Sequence, residues 1–277
     1  MTEQWTADAC AGWLTPPDRD DHKYRRGVLG FRTGSLAYPG AAVLGVDAAL
    51  HTGVGMVRWV GPESVGRLVL ARRPEVVLGD GQAQAWVAGS GIAAGDDAAL
   101  HPVRTVIAEG ARTVLDAGAL ALAGDAFGPT ILTPHAGELA DLIGMDRRGV
   151  EAEPGDAARR LADETGGVVM LKGATTIVTD GSRVVAVAEA TPWLATAGAG
   201  DALAGILGAL LATRAARDPD GVTEDALVSI GATAAFLHGR AARLAAGCRP
   251  DGTGGGPFTI LGLNARIPEV IRQVLAD

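Results

Sequence analysis

The run ATAGAGDALAG, residues 195–205, sets a single acid among small residues. Gly198 and Gly200 let the backbone turn tightly and approach a ligand closely. From Asp201 onward, Leu203, Ile206, Leu207, Leu210 and Leu211 recur at helical spacing. The free N–H groups of Gly198, Ala199, Gly200 and Asp201 would then project from a helix N-terminus, forming an anion hole reinforced by the helix dipole. An acid beside an anion site repels phosphate unless it has another task. A carboxylate there can take the proton from an attacking hydroxyl while the amides stabilise charge on the transferring group. The plainer alternative makes Asp201 an N-cap worth about 1 kcal/mol. The run lacks the GK[ST] end of a Walker A loop and is not a dinucleotide-binding GxGxxG.

Other segments carry groups suited to the same chemistry. LKGATTIVTDG (171–181) places Lys172, one of only two lysines, at the end of a strand-like run. Its point charge can meet a phosphate, or it is an ordinary strand-end surface lysine. ILTPHAGELADLIG (131–144) passes from strand to helix. Thr133 or His135 can cap that helix and Glu138 can complete a capping box, while His135 is also a fair ligand contact. HKYRRGVLGFRTGS (22–35) surrounds a strand with His22, Lys23, Arg25, Arg26 and Arg32, either a solvated entry segment or a basic rim for an anionic substrate. VAGSGI (87–92) and VLDAGAL (114–120) end strands in glycine, which permits close backbone approach to a ligand. Asp116 in the second is a positioning or metal-shell acid, or a cap for the next helix.

Regular elements must hold these segments in place. Strand-like runs (27–31, MVRWVG, AWVAGSG, RTVLDAG, PTILTP, GVVMLKG) alternate with helical stretches such as 39–53 and 96–109. TTIVTDG and RVVAVAEA follow, joined by a TDGS hairpin turn. Helices are then expected over 201–213, 223–246 and about 265–276, with a Gly-rich loop at 250–257. The alternation predicts an α/β fold: a mostly parallel central sheet, helices on both faces and an antiparallel edge. Ligands in such sheets bind beyond the carboxyl ends of the strands, where the glycine-bearing segments would gather.

Composition narrows the classes of function. Forty-eight per cent of the 277 residues are hydrophobic and the net charge is -8. That balance argues against nucleic acid and anionic membranes as partners. No window approaches the roughly 18 uninterrupted apolar residues of a membrane span, and the N-terminus lacks a signal core. Cys10 and Cys248 stand far apart without metal or redox spacing, and read as reduced thiols of a cytoplasmic protein. No linker divides the chain, so residues 1–21 are expected as an N-terminal extension and 22–277 as a single domain.

In order, HKYRRG, GAAVL, GSG, DAGAL, TPHAGE, LKGATT and ATAGAGDALAG resemble the motifs of the ADP/ATP-dependent NAD(P)H-hydrate dehydratases, a ribokinase-like family often labelled carbohydrate kinases. The resemblance implies a ribokinase-like three-layer sandwich. It also implies repair of hydrated NADH or NADPH (the S epimer), by phosphorylation of the 6-hydroxyl with ADP or ATP and elimination of phosphate. With ADP the products are reduced cofactor, AMP and phosphate. Asp201 then looks like the catalytic base and a substrate contact, with Ala42, Gly91 and His135 as further hydrate contacts. Lys172, Gly173, Ala174, Thr175, Thr176 and Gly200 look like the nucleotide site, and Gly198 to Asp201 like the anion hole. Family members use Mg²⁺, for which no ligand set is legible here, and commonly form homotetramers. GSG replaces the usual GPG, DAGAL lacks the second acid of DADAL, and TPWLATAG replaces an Asn-Pro-x-Met-Ala-Thr run. The 21 residues before His22 are too few for the epimerase domain that often accompanies this one. A small-molecule kinase of the same superfamily, acting on a sugar or a hydroxyethylthiazole-type vitamin precursor, is the alternative.

Overall fold

The computed structural model describes residues 2–276. In chain order the elements are β1 (Glu3–Gln4), α1 (Ala7–Ala11), β2 (Val28–Arg32), α2 (Pro39–Thr52), β3 (Met56–Trp59), α3 (Glu63–Arg72), β4 (Val77–Leu78) and β5 (Ala85–Ala88). The middle of the chain adds α4 (Asp97–Ala108), β6 (Thr113–Leu115), β7 (Thr130–Leu132), α5 (Ala136–Ile143), α6 (Arg147–Ala152) and α7 (Pro154–Thr165). Then come β8 (Val168–Leu171), β9 (Thr176–Thr179), β10 (Val184–Val187), α8 (Ala199–Arg217), α9 (Glu224–Ala246), α10 (Ile260–Asn264) and α11 (Ile267–Val274). Two 3₁₀ segments, Ala117–Asp125 and Pro192–Leu194, follow β6 and β10.

The strands form one sheet in the order β1-β10-β9-β8-β7-β6-β5-β2-β3-β4. Only β9 runs against its neighbours, pairing antiparallel with β8 and β10, while β1 pairs parallel with β10. The expected antiparallel element is therefore one reversed strand near the edge, with two strands outside it. Residues 3–4 of the N-terminal segment supply the outermost strand, and α1 packs on α9 and α11.

Side-chain alternation divides the strands between two cores, as period-2 geometry requires. Val114, Ile131, Val168 and Met170 face one cluster, built on α2, α8 and α9. Leu115, Leu132, Val169 and Leu171 face the other, built on α4, α5 and α7. The result is helices, sheet, helices: a three-layer sandwich. Helix α8 is long and apolar enough to cross a membrane by composition alone, but it is buried between α2, α9 and the sheet.

Helix α8 lies unusually close to its neighbours. A Cβ on Gly205 would stand 2.1 Å from the Gly45 carbonyl oxygen of α2, and one on Gly208 would stand 2.3 Å from the Val87 side chain. Small residues in ALAGILGAL thus permit close packing along the helix, beyond any role at its N-terminus.

Candidate active site

Helix α8 starts two residues earlier than its apolar spacing suggests. Gly198 is the N-cap, with φ 92, and no side chain caps the end. Asp201 is therefore the third helical residue, and the N-cap reading of it falls. Gly200 and Asp201 present backbone N–H groups with no acceptor among the described residues. The cap's positive φ suits glycine, which has no Cβ to strain; a Cβ there would also meet Leu44 at 2.5 Å.

Opposite this helix end lies Lys172, one residue beyond β8. Its backbone N–H donates to the Pro134 carbonyl at 2.8 Å, forming an isolated parallel bridge with His135. Its ammonium donates to Asp116 Oδ1 at 2.8 Å and lies 3.9 Å from Glu138 Oε2. A Cβ on Gly200 would stand 3.5 Å from the Lys172 Nζ, so this cation faces the open end of α8. Asp116 is 3% exposed and also accepts from Ser90 Oγ at 2.8 Å and Thr133 Oγ1 at 2.9 Å.

These charges act on one another. Burial works against the Asp116 carboxylate, but Lys172 and the two hydroxyls outweigh it and hold its pKa below the usual range. Burial likewise works against the Lys172 ammonium, and Asp116 followed by Glu138 holds its pKa above the usual range. Asp201 is pushed up from 3.8 to about 6, first by burial and then by the charge of Asp116, with Lys172 pulling it back. A carboxylate titrating near 6 is a competent proton acceptor at neutral pH.

Helix α5 carries the capping box. His135 Nδ1 accepts from the Gly137 and Glu138 N–H groups, both at 3.0 Å, while Glu138 Oε2 accepts from the His135 N–H at 2.8 Å. Thr133, the other candidate cap, instead donates to Asp116. The His135 ring is largely exposed, and His135 also lines a cavity of about 780 Å³ with Lys172, Gly173, Ala174, Thr176, Ala199 and Gly200. The far side of that cavity is apolar: Val187, Ala190, Leu194, Leu203 and Ala235. The structure thus brings most of the expected nucleotide residues to one cavity; Thr175 is exposed beside it and outside its lining.

A second cavity, about 610 Å³, opens beyond β2 and β5 and is lined by Arg32, Gly34, Ser35, Tyr38, Ile92 and Asp96 among others. Gly91 and Ala42 back its wall without lining it. Ala42 is fully buried, and a Cβ on Gly34 would stand 2.8 Å from its own. Of the basic residues expected as a rim, Arg32 lines this cavity and pairs with Asp80; Arg25 and Arg26 lie at the opposite, amino end of the parallel strands, engaged by Asp21 and the Gly53 carbonyl, so they form no rim.

One residue that the sequence did not single out joins the site. His238 of α9 lines the same cavity as Lys172, is 7% exposed, and has no hydrogen-bond partner on Nε2. Burial above all lowers it from 6.5 to about 4; the Ala199 backbone opposes this and the Lys172 charge assists it. It is therefore neutral at physiological pH. Its only sequence signal is one polar ring in the apolar run AAFLHG.

A mostly parallel sheet with one reversed strand, between two layers of helices, is a ribokinase-like fold, and its glycine-led helix sets an acid in the first turn, near a lysine. The chain belongs to the NAD(P)H-hydrate dehydratase family, whose sequence profile matches residues 29–249. It is 35% identical over 241 residues to the ADP-dependent (S)-NAD(P)H-hydrate dehydratase of Xanthomonas campestris pv. campestris, covering 79% of this chain and 82% of that one. It is 41% identical over 223 residues to the bifunctional NAD(P)H-hydrate repair enzyme Nnr of Mycobacterium tuberculosis, covering 74% of this chain. The match spans 45% of that relative, so the chain corresponds to about half its length. The crystal structure of the ADP/ATP-dependent NAD(P)H-hydrate dehydratase from Bacillus subtilis, co-crystallised with ATP/Mg²⁺, superposes with a TM-score of 0.84 at 25% identity, covering 99% of both chains.

Proposed function

We propose that this chain dehydrates the S epimer of NADH or NADPH hydrate at the expense of ADP. The observation that carries the reading is Asp201 itself: a carboxylate of raised proton affinity, in the same helical turn as two free amides and within reach of the Lys172 charge. In this reading the nucleotide lies in the cavity beside Lys172 and Gly200, its base toward the apolar end. Asp201 takes the proton of the 6-hydroxyl as that oxygen bonds to the β-phosphorus of ADP. The bond from that phosphorus to the bridging oxygen breaks and AMP leaves. The phosphate ester then eliminates with loss of an adjacent ring proton, restoring the nicotinamide double bond and releasing phosphate. The α8 amides and Lys172 stabilise charge on the transferring group.

Magnesium in this reading arrives on the nucleotide's phosphate oxygens. Such ions keep several waters and need at most one or two protein carboxylates.

We further read the enzyme as a cytoplasmic homotetramer without nucleic-acid or membrane partners. Its two free cysteines and net charge of -8 fit that reading. Leu36 and Tyr38, exposed on one loop, are apolar side chains that a partner subunit would cover. Light scattering tests the assembly.

The activity test supplies hydrated NADPH with ADP or ATP and follows NADPH absorbance. Recovery with ADP is expected; none with either nucleotide would sink the reading. Asp201→Asn should abolish recovery while calorimetry still detects ADP binding.

A further inference from the structure

Lys172 stands where the dipole of α8 alone would not put it. The N-terminus of α8 carries partial positive charge, and a cation facing it is unfavourable unless an anion intervenes. Among the described residues, the only anion held against the Lys172 ammonium at hydrogen-bond distance is Asp116, at 2.8 Å. Asp116 is itself immobilised. Oδ1 accepts from Lys172 and Thr133, and Oδ2 from Ser90. Its backbone N–H donates to the Ala88 carbonyl at 3.0 Å. Its own carbonyl lies so near Gly89 that a Cβ there would stand 2.0 Å from it. A buried ion pair is weak evidence for stability, because desolvation offsets the attraction. This one earns no obvious stability from its position, but it aims a cation at the anion hole.

We infer that Asp116, seated by Ser90 and Thr133, is a positioning residue of the phosphoryl-transfer site: it holds the Lys172 ammonium over Gly200 and so fixes the charge balance in which Asp201 works. The inference rests on the proposed function. Asp201 works among charged or titratable groups from four elements: Asp116 after β6, Lys172 after β8, Glu138 and the capping His135 at α5, and neutral His238 on α9. Removing the Asp116 charge lowers the proton affinity of Asp201, and removing the Lys172 charge raises it. These shifts follow from charge alone; what separates a positioning pair from a structural one is whether loosening the Ser90 and Thr133 seat, with every charge kept, changes Lys172 exchange and kcat.

The chain's two lysines make the test direct, because Lys23 is exposed and its ammonium protons exchange rapidly with water. In ¹⁵N-lysine-labelled full-length protein, a persistent ammonium signal from Lys172 is expected at neutral pH. In D116N its proton exchange should accelerate at least tenfold. The ¹³C titration of the Asp201 carboxyl, assigned with D201N, should move to lower pH in D116N and to higher pH in K172M. In turnover, D116N should lose roughly tenfold or more in kcat, with a smaller change in KM for ADP, and its acid limb should shift to lower pH. Unchanged Lys172 exchange, or shifts of the same sign in D116N and K172M, would overturn the inference. If D116N does not fold, S90A/T133V keeps every charge and loosens only the seat. Faster Lys172 exchange in that protein supports the inference, and unchanged exchange defeats it. Absence of turnover in the wild type would instead defeat the proposed function, leaving the two spectra to decide the role of Asp116.

Discussion

Replacing Asp201 by Asn should stabilise the folded protein at neutral pH while ending turnover. The rise of its pKa from 3.8 to about 6 means that the folded state binds the proton more tightly than the unfolded chain. Well below pH 3.8 both states are protonated and the group costs nothing. As pH rises through 3.8 the unfolded chain ionises first, and a penalty on the folded state grows until Asp201 itself ionises near 6. Above that the penalty is complete. At 1.36 kcal/mol per pH unit the shift amounts to about 3 kcal/mol. Partial exposure and the favourable helix dipole at the third helical position reduce this to about 2 kcal/mol. For a domain this size the melting temperature of D201N should exceed that of the wild type by roughly 4–8 °C at pH 7–8. Nucleotide-free thermal unfolding from pH 4 to 8 reads the difference directly, and His238, present in both proteins, cancels. A D201N protein no more stable than the wild type at pH 8, or a gap as large at pH 4 as at pH 8, would refute the reasoning.

Gly205→Ala should cost roughly 1–3 kcal/mol by forcing a Cβ against the Gly45 carbonyl. Gly155→Ala, whose Cβ meets nothing within 4 Å, is the control, and urea unfolding separates the two. Asp47 is fully buried and hydrogen-bonded by Arg72, Arg73 and Asn264. Burial pushes its pKa up, but His51, Asn264 and Arg73 together bring it down to about 2. Its stabilisation is present above pH 4 and is lost as pH falls through 2. Asp47→Asn should therefore cost about 2–4 kcal/mol at pH 7, with the gap narrowing in acid.

Strand–helix alternation was legible because local period carries it: Ile131 and Leu132 feed opposite cores, and the two faces show in the sequence as one unbroken apolar run. The His135–Glu138 capping box was legible because its partners lie three residues apart. The start of α8 was misplaced by two residues because Ala199 and Gly200 give no apolar periodicity to read. The bond from Lys172 to Asp116 spans 56 residues and exists only because β6 and β8 end on the same side of the sheet. No local pattern encodes that. The same holds for the proton affinity of Asp201, which depends on burial and on a second acid from another strand. β1 was missed because two residues are too few for an alternation, and only the exposed edge of β10 makes them a strand.

The contact of Gly205 with the Gly45 carbonyl has a bearing on how such a protein can change. Side-chain interfaces can be retuned one methylene at a time, with the helices shifting by fractions of an ångström. A joint made of a carbonyl against a missing Cβ has no intermediate settings: the two helices touch at this spacing or separate. Altered substrate preference on this scaffold therefore has to be sought in the loops around 33–38 and 190–196, where the cavity walls are free to vary without disturbing that joint.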